Sequence, residues 1–202
     1  MAKTHLVTGV NGLLGRAVEL GLKAEGVDVF THTRSGQGSD FGGDLCEKAT
    51  AASIIGTIGM LDVLICCHGG HRGGEDNVEL MLRDNLISTI NICEAAIHQM
   101  CKNARGKIVL VGSYAGCFGK PTGIGYAVSK AAVHHYSRCL ASRYREFGIA
   151  VNCIAPGNIS PTNGPNRVQV DTVAKAIIYL SKMDNVSAQV IRVDGGKHTF
   201  AC

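Results

Sequence analysis

Apolar residues along the chain fall into two alternating patterns. Short runs rich in β-branched side chains begin at Thr4 ("THLVTGV"), Val27 ("VDVFTHT"), Leu61 ("LDVLICC"), Gly106 ("GKIVLVGS"), Ile149 ("IAVNCIAPG") and Ala188 ("AQVIRVDGG"). Between them lie stretches with helical spacing: "GRAVELGLKAEG" from Gly15, "VELMLRDNLISTINICEAAIHQMC" from Val78, "GYAVSKAAVHHYSRCLASRYREFG" from Gly125 and "RVQVDTVAKAIIYLSKM" from Arg167. Strands that alternate with helices predict a parallel sheet with helices on both faces. The strand runs are continuously apolar, as strands buried on both sides must be. With no internal repeat, low-complexity tract or linker, residues 1–202 are expected to form one domain.

Composition agrees with a packed core. Of the 202 residues, 46% are hydrophobic and 18% charged, which argues against disorder. The net charge of +4 is mild and the basic residues are scattered, so nucleic-acid binding is not indicated. The N-terminus lacks a signal-peptide core and no stretch is apolar for the length of a membrane span, so a cytoplasmic protein with no membrane contact is expected. The nine cysteines are an odd number set in apolar runs, as buried thiols of a reducing compartment would be. Cys66 and Cys67 lack the second pair that a zinc site needs, and no metal is expected. His134 and His135 are expected at a helix surface or interface.

The first strand leads into "LVTGVNGLLGRAVE", with Gly9, Gly12 and Gly15 between strand and helix. Glycines there allow a tight turn and close approach of backbone N–H groups to a pyrophosphate, and the helix N-terminus adds a favourable dipole. The second strand ends in "THTRSG". No acidic residue stands there to accept from a ribose 2′-hydroxyl; Arg34 does, and a guanidinium suits a 2′-phosphate. NADP(H) is therefore favoured, with NAD(H) left open.

In "GSYAGCFGKPTGIGYAVSK", Ser113 is followed thirteen residues on by Tyr126, and Tyr126 four further on by Lys130. Residues four apart share a helix face. A neighbouring ammonium favours the phenolate and is expected to lower the Tyr126 pKa toward neutrality. The pair alone is a weak signal; its company decides. "TGVNGLLG" (Thr8 to Gly15), "GDL" with Asp44, "LDVLICCHGG", Asn85 in "RDNLIST", Ser113, "YAVSKAAV", "VNCIAPG" and "VIRVDGG" occur in that order.

Together these segments resemble the short-chain dehydrogenase/reductase family over nearly the whole chain. The resemblance implies a doubly wound Rossmann-type sheet of about seven strands. It implies that Tyr126 exchanges a proton with the substrate oxygen, that Lys130 lowers its pKa and binds the nicotinamide ribose, that Ser113 hydrogen-bonds the substrate oxygen, and that Asn85 holds a water linking Lys130 to solvent. Cofactor contacts would come from Gly9, Asn11, Gly12, Leu13, Leu14 and Gly15 at the turn, from Arg34, from Asp44 and Leu45, from Cys67 and Gly69, and from Pro156, Gly157 and Ile159, besides Tyr126 and Lys130. In relatives the two long central helices pair across a two-fold axis, so a homodimer or homotetramer is expected.

Four departures from the family pattern stand out. The turn reads T-G-x-x-G-x-x-G, the spacing of the larger sugar-nucleotide branch, whereas the "VDGG" ending and the length fit the single-domain branch. The usual Asn-Asn-Ala-Gly after the fourth strand is Cys66, Cys67, His68 and Gly69. Asp44 and Asp62 leave room for only a short helix. The segment after Gly157 is brief: Pro161 stands where a threonine is usual, between Ser160 and Thr162, and a short lid implies an open site.

The expected function is an NADP-dependent oxidoreductase that interconverts a ketone or keto-sugar with a secondary alcohol, a small-molecule substrate. Alternatives are a sugar-nucleotide epimerase or dehydratase, for which the chain leaves no second domain, and a non-enzymatic nucleotide sensor or scaffold. Substrate choice would lie in loops that include His71, Arg72 and Lys120, residues more readily read as solvated charges.

Overall fold

The computed structural model describes residues 3–70, 77–118, 123–162, 164 and 167–196. The strands are β1 (His5–Thr8), β2 (Val29–Thr33), β3 (Phe41–Gly42), β4 (Val63–Cys66), β5 (Gly106–Val111), β6 (Ile149–Pro156), the short β7 (Ile159–Ser160) and β8 (Val168–Gln169), and β9 (Val190–Val193). The helices are α1 (Leu13–Ala24), α2 (Lys48–Ile58), α3 (Val78–Leu82), α4 (Ser88–Lys102), α5 (Ile124–Tyr144) and α6 (Val170–Lys182). Seven strands form one parallel sheet in the order β3-β2-β1-β4-β5-β6-β9. The predicted doubly wound architecture is the observed one.

Successive strand residues face opposite layers. Leu6, Leu64, Ile108 and Leu110 pack with Ile54, Ile92, Met100 and Leu140 from α2, α4 and α5. Their neighbours Val7, Val63, Ile65 and Val109 pack with Val18, Leu22, Val173 and Ile177 from α1 and α6. Truncating a side chain such as the fully buried Leu64 to alanine is worth about 2–5 kcal/mol of stability.

Two details differ from the periodicity. The long predicted helix from Val78 is interrupted at Arg83–Ile87 by a π-helical turn, where the backbone takes in an extra residue around Asn85. The helix expected from Arg167 begins only at Val170, because Val168 and Gln169 pair as a strand with Ile159 and Ser160. That pairing ties together the two ends of the short segment after β6. The helix between Asp44 and Asp62 is short, eleven residues, as the spacing required.

The strand order reverses at β1, whose neighbours are β2 and β4. Loops leaving β1 and β4 therefore diverge and open a crevice at the carboxyl ends of the strands, where an open α/β sheet binds its ligand.

Candidate active site

A cleft of about 330 Å³ fills that crevice. The turn after β1 gives it Gly9, Asn11 and Gly12; β2 gives His32 and the turn after it Arg34; the turn after β3 gives Gly43, Asp44 and Leu45; the turn after β4 gives Cys67, His68, Gly69 and Gly70; the π-turn gives Asp84. Eight of the residues expected to touch a nucleotide thus converge from four separate turns. Leu13, Leu14 and Gly15 form the first turn of α1 beside it, with Leu14 and Gly15 buried and Leu13 exposed.

Gly9 could be no other residue: its φ is +76°, and a Cβ there would lie 2.6 Å from the His68 backbone. Helix α1 starts at Gly12 with no side-chain cap, so its leading N–H groups have no side-chain acceptor and the positive end of its dipole meets the cleft. These features fit a dinucleotide pyrophosphate.

Arg34 lies in the cleft in a carboxylate cluster. Its guanidinium is 3.1 Å from Asp84 Oδ1 and 3.6 Å from Asp44 Oδ1, and Arg83 is 3.6 Å from Asp44 Oδ2. Burial works against the Asp44 carboxylate, yet the Cys46 N–H and the two guanidiniums outweigh it and hold its pKa below the ordinary value. His32 is 2% exposed; with Nε2 donating to the Gly43 carbonyl at 3.0 Å, its Nδ1 finds no partner among the described residues.

The catalytic candidates gather where β5 and α5 meet. Ser113 follows β5, is 6% exposed, and its hydroxyl accepts from the Ala115 N–H at 3.2 Å. Tyr126 stands in the first turn of α5, and its side chain is hydrogen-bonded to Ser113. Lys130, one turn on, is 3% exposed; its ammonium donates to the Val111 carbonyl at 2.9 Å and lies 5.8 Å from the centre of the Tyr126 ring. Burial, unrelieved by any carboxylate among the described residues, lowers the Lys130 pKa to about 8. Tyr126 does not show the expected lowering. Burial raises its pKa above the ordinary phenol value, and the Ser113 hydrogen bond offsets only part of this; the Lys130 ammonium is turned to the Val111 carbonyl.

Asn85 sits at the π-turn and is 1% exposed. Its Oδ1 accepts from Gly70 N–H at 2.7 Å, and its two amide hydrogens go to the Gly70 carbonyl at 3.2 Å and Ser129 Oγ at 3.0 Å. Only one lone pair of Oδ1 is left for a water. Gly69, at φ +87°, must be glycine because a Cβ would collide with that same Oδ1. Pro156 closes β6, Gly157 N–H donates to Val193 O at 3.0 Å, and Ile159 is held in β7.

Sequence reasoning missed two histidines. His134 is not at the surface: it is 5% exposed, packs on Gly112 and accepts the Ser113 N–H at Nε2 (3.3 Å), while His135 is exposed as expected. Burial, with the Lys130 and Arg138 charges, lowers the His134 pKa to about 4. His68 lines the cleft and bonds two threonines, and burial together with Lys130 lowers its pKa to about 3. Its position inside the altered quartet was the available signal. Pro161 is exposed, and Ser160 beside it accepts from the Thr162 N–H at 3.3 Å and from Arg167 at 3.2 Å. His71, Arg72 and Lys120 lie outside the described residues. The eight described cysteines are free thiols, and no described helix is long and apolar enough to cross a membrane.

Comparison with known proteins agrees with this arrangement. The short chain dehydrogenase family profile matches residues 43–171. Cyclohexanol dehydrogenase of Rhodococcus sp. (strain TK6) is 33% identical, with 78% of this chain and 74% of that protein covered. The 3-oxoacyl-(acyl-carrier-protein) reductase of Escherichia coli (strain K12) is 30% identical, with 78% and 73% covered. Among solved structures, ElxO with NADP bound superposes at a TM-score of 0.88 over 98% of this chain and 99% of that one, at 23% identity. A gluconate 5-dehydrogenase from Burkholderia cenocepacia, in complex with NADP and tartrate, superposes at 0.87 with 23% identity, over 96% and 94%.

Proposed function

The chain belongs to the short-chain dehydrogenase family, and from that premise we propose that it is an NADP-dependent oxidoreductase interconverting a ketone and a secondary alcohol, with Tyr126 as proton donor and acceptor. Family members act on CH–OH and C=O groups with a nicotinamide dinucleotide. The observation that carries the reading is the convergence of Ser113, Tyr126 and Lys130 at the end of β5.

When bound, the nicotinamide supplies or accepts the hydride. The chain's own residues do the rest. The first turn of α1 and the glycine turn hold the pyrophosphate. Arg34 exchanges its carboxylate partners for a 2′-phosphate, in keeping with the NADP named in the two solved neighbours. Ser113 orients the substrate oxygen, and Tyr126 protonates it. The raised Tyr126 pKa keeps the phenol protonated near neutrality, the state needed to donate a proton to a carbonyl oxygen. Lys130 re-aims from the Val111 carbonyl to the nicotinamide ribose and then acts on Tyr126. Exposed Ile124 and Val128, one turn apart on α5 around Tyr126, give an apolar strip that suits a homodimer or homotetramer. The eight free thiols among the described residues suit a reducing cytoplasm.

The test is thermal unfolding with and without nucleotide, followed by turnover of cyclohexanone with NADPH. At a hundred times its dissociation constant a ligand adds about 2.7 kcal/mol, a shift of roughly 5–10 °C. NADPH is expected to give that shift and NADH a smaller one. Tyr126→Phe should keep the shift and lose about a thousandfold or more in turnover; retained turnover would remove Tyr126 from its role.

A further inference from the structure

Under the nucleotide turn lies a chain of hydrogen bonds whose direction the donor inventory fixes. Thr89 Oγ1 is 2.8 Å from the Asn85 carbonyl, which can only accept, so the Thr89 hydroxyl donates there. The same oxygen is 3.2 Å from His68 Nε2 and must accept from it, so Nε2 carries the ring proton. Burial and the nearby Lys130 charge keep the ring neutral, so His68 Nδ1 is then an acceptor. Thr8 Oγ1 lies 2.6 Å away and donates to it, in preference to the Ile65 carbonyl at 3.5 Å. Thr8 is the last residue of β1, directly before Gly9, and the Gly9 backbone packs on the His68 backbone.

The chain does not stop at Asn85. The Asn85 amide donates to Ser129 Oγ at 3.0 Å, and Ser129 donates to the Tyr126 carbonyl at 2.8 Å. It therefore runs from the strand that opens the nucleotide turn, through the π-turn, to the backbone of the catalytic candidate on α5. Among the described residues of this chain, His68 is the link that crosses from β1 to α4, and it stands where the family pattern has a small alanine. The charged and titratable groups that face it are Lys130, Arg34 and His32, each of which disfavours a second ring proton.

We propose that His68 is a positioning residue that couples the seating of the dinucleotide in the glycine turn to the placement of Asn85 and, through Ser129, of Tyr126. This rests on the oxidoreductase reading for its ligand but not for its geometry. An alanine in its place would leave Thr8 and Thr89 without a bridge, so the side chain serves a link that a small residue cannot make.

Two experiments test it. In cofactor-free wild-type protein, the ¹⁵N shifts of the His68 ring at pH 7 should report the Nε2–H tautomer with Nδ1 accepting a hydrogen bond. The Nδ1–H tautomer, or a charged ring, would overturn the chain whatever the protein's activity. Hydrogen exchange at saturating NADPH then reads the coupling independently of affinity. NADPH should slow exchange of the amides from Asn85 to Thr89 in wild type and in His68→Gln, which keeps a donor and an acceptor. His68→Leu should lose about tenfold of that added protection, the equilibrium worth of one ordinary hydrogen bond. Thr89→Val, which breaks the next link at nearly constant volume, should match it if His68→Leu folds poorly. Equal protection in wild type, His68→Leu and Thr89→Val would make His68 a space filler. Failure of wild type to bind NADPH would overturn the coupling together with the nucleotide reading, while the tautomer would still report whether the chain exists.

Discussion

Arg34 and Lys130 are both cations of the same site, yet their surroundings are opposite. Arg34 is half exposed and sits between two carboxylates, Asp44 and Asp84. Lys130 is buried, has no carboxylate partner among the described residues, and is satisfied by the Val111 carbonyl. The difference suits the tasks proposed for them. A guanidinium keeps its charge in any surrounding, which fits the proposed exchange of carboxylates for a phosphate at little desolvation cost. An amine taken out of water loses its grip on the proton, and burial brings its pKa to about 8, where it responds to what binds nearby. One end of the site is adapted to hold charge, the other to tune it.

The sharpest break of that contrast is Lys130→Met. Turnover should fall by about a hundredfold or more, since the proton-transfer group loses its cationic neighbour. Stability should move the other way. The folded pKa lies below the unfolded 10.5, so the native state binds fewer protons between about pH 8 and 10.5 and wild-type stability rises with pH through that window. At pH 7 the methionine variant should be more stable by up to about 3 kcal/mol, the gain shrinking toward pH 10.5. Paired denaturation curves at pH 7 and pH 10 check the sign; a constant gain would mean the amine is not desolvated.

Next in size is Arg34→Ala. Loss of a charge-assisted pair should weaken NADP(H) binding by about tenfold to a hundredfold and leave NAD(H) within about twofold, as isothermal titration would show. Equal losses for both would place Arg34 outside the 2′-phosphate site. The smallest effect is at Asp84. Removing one carboxylate beside the incoming phosphate with Asp84→Asn should tighten NADP(H) about two- to fivefold at low salt, and the gain should fade as ionic strength rises.

Much of this site was legible in order along the chain. Gly9, Gly12, Arg34, Asp44, Cys67 and Gly69 were named from spacing and resemblance, and they line one cleft because the strands that carry them are neighbours at the point of sheet reversal. The Ser113, Tyr126 and Lys130 spacing likewise named residues that the fold brings together at the end of β5. What spacing misread was electrostatics. Four residues on a helix put Tyr126 and Lys130 on one face, but the side-chain end of Lys130 went to β5, a strand nearly twenty residues earlier. His134 was misread for the same reason: a helix surface is polar or buried according to what packs on it, and here Gly112 leaves the space that the imidazole fills.

The sequence by itself determined the strand and helix rhythm, the two-faced burial of the sheet, the glycine turn and the identity of the chemistry-bearing side chains, because these depend on local periodicity and on what each residue type can do. The tertiary structure alone decided which charges meet, which polar groups are dry, and that Thr8, His68, Thr89, Asn85 and Ser129 form one connected chain. Hydrogen bonds and pKa values depend on distances of a few ångströms between residues far apart in the chain, and only the packed fold sets those distances.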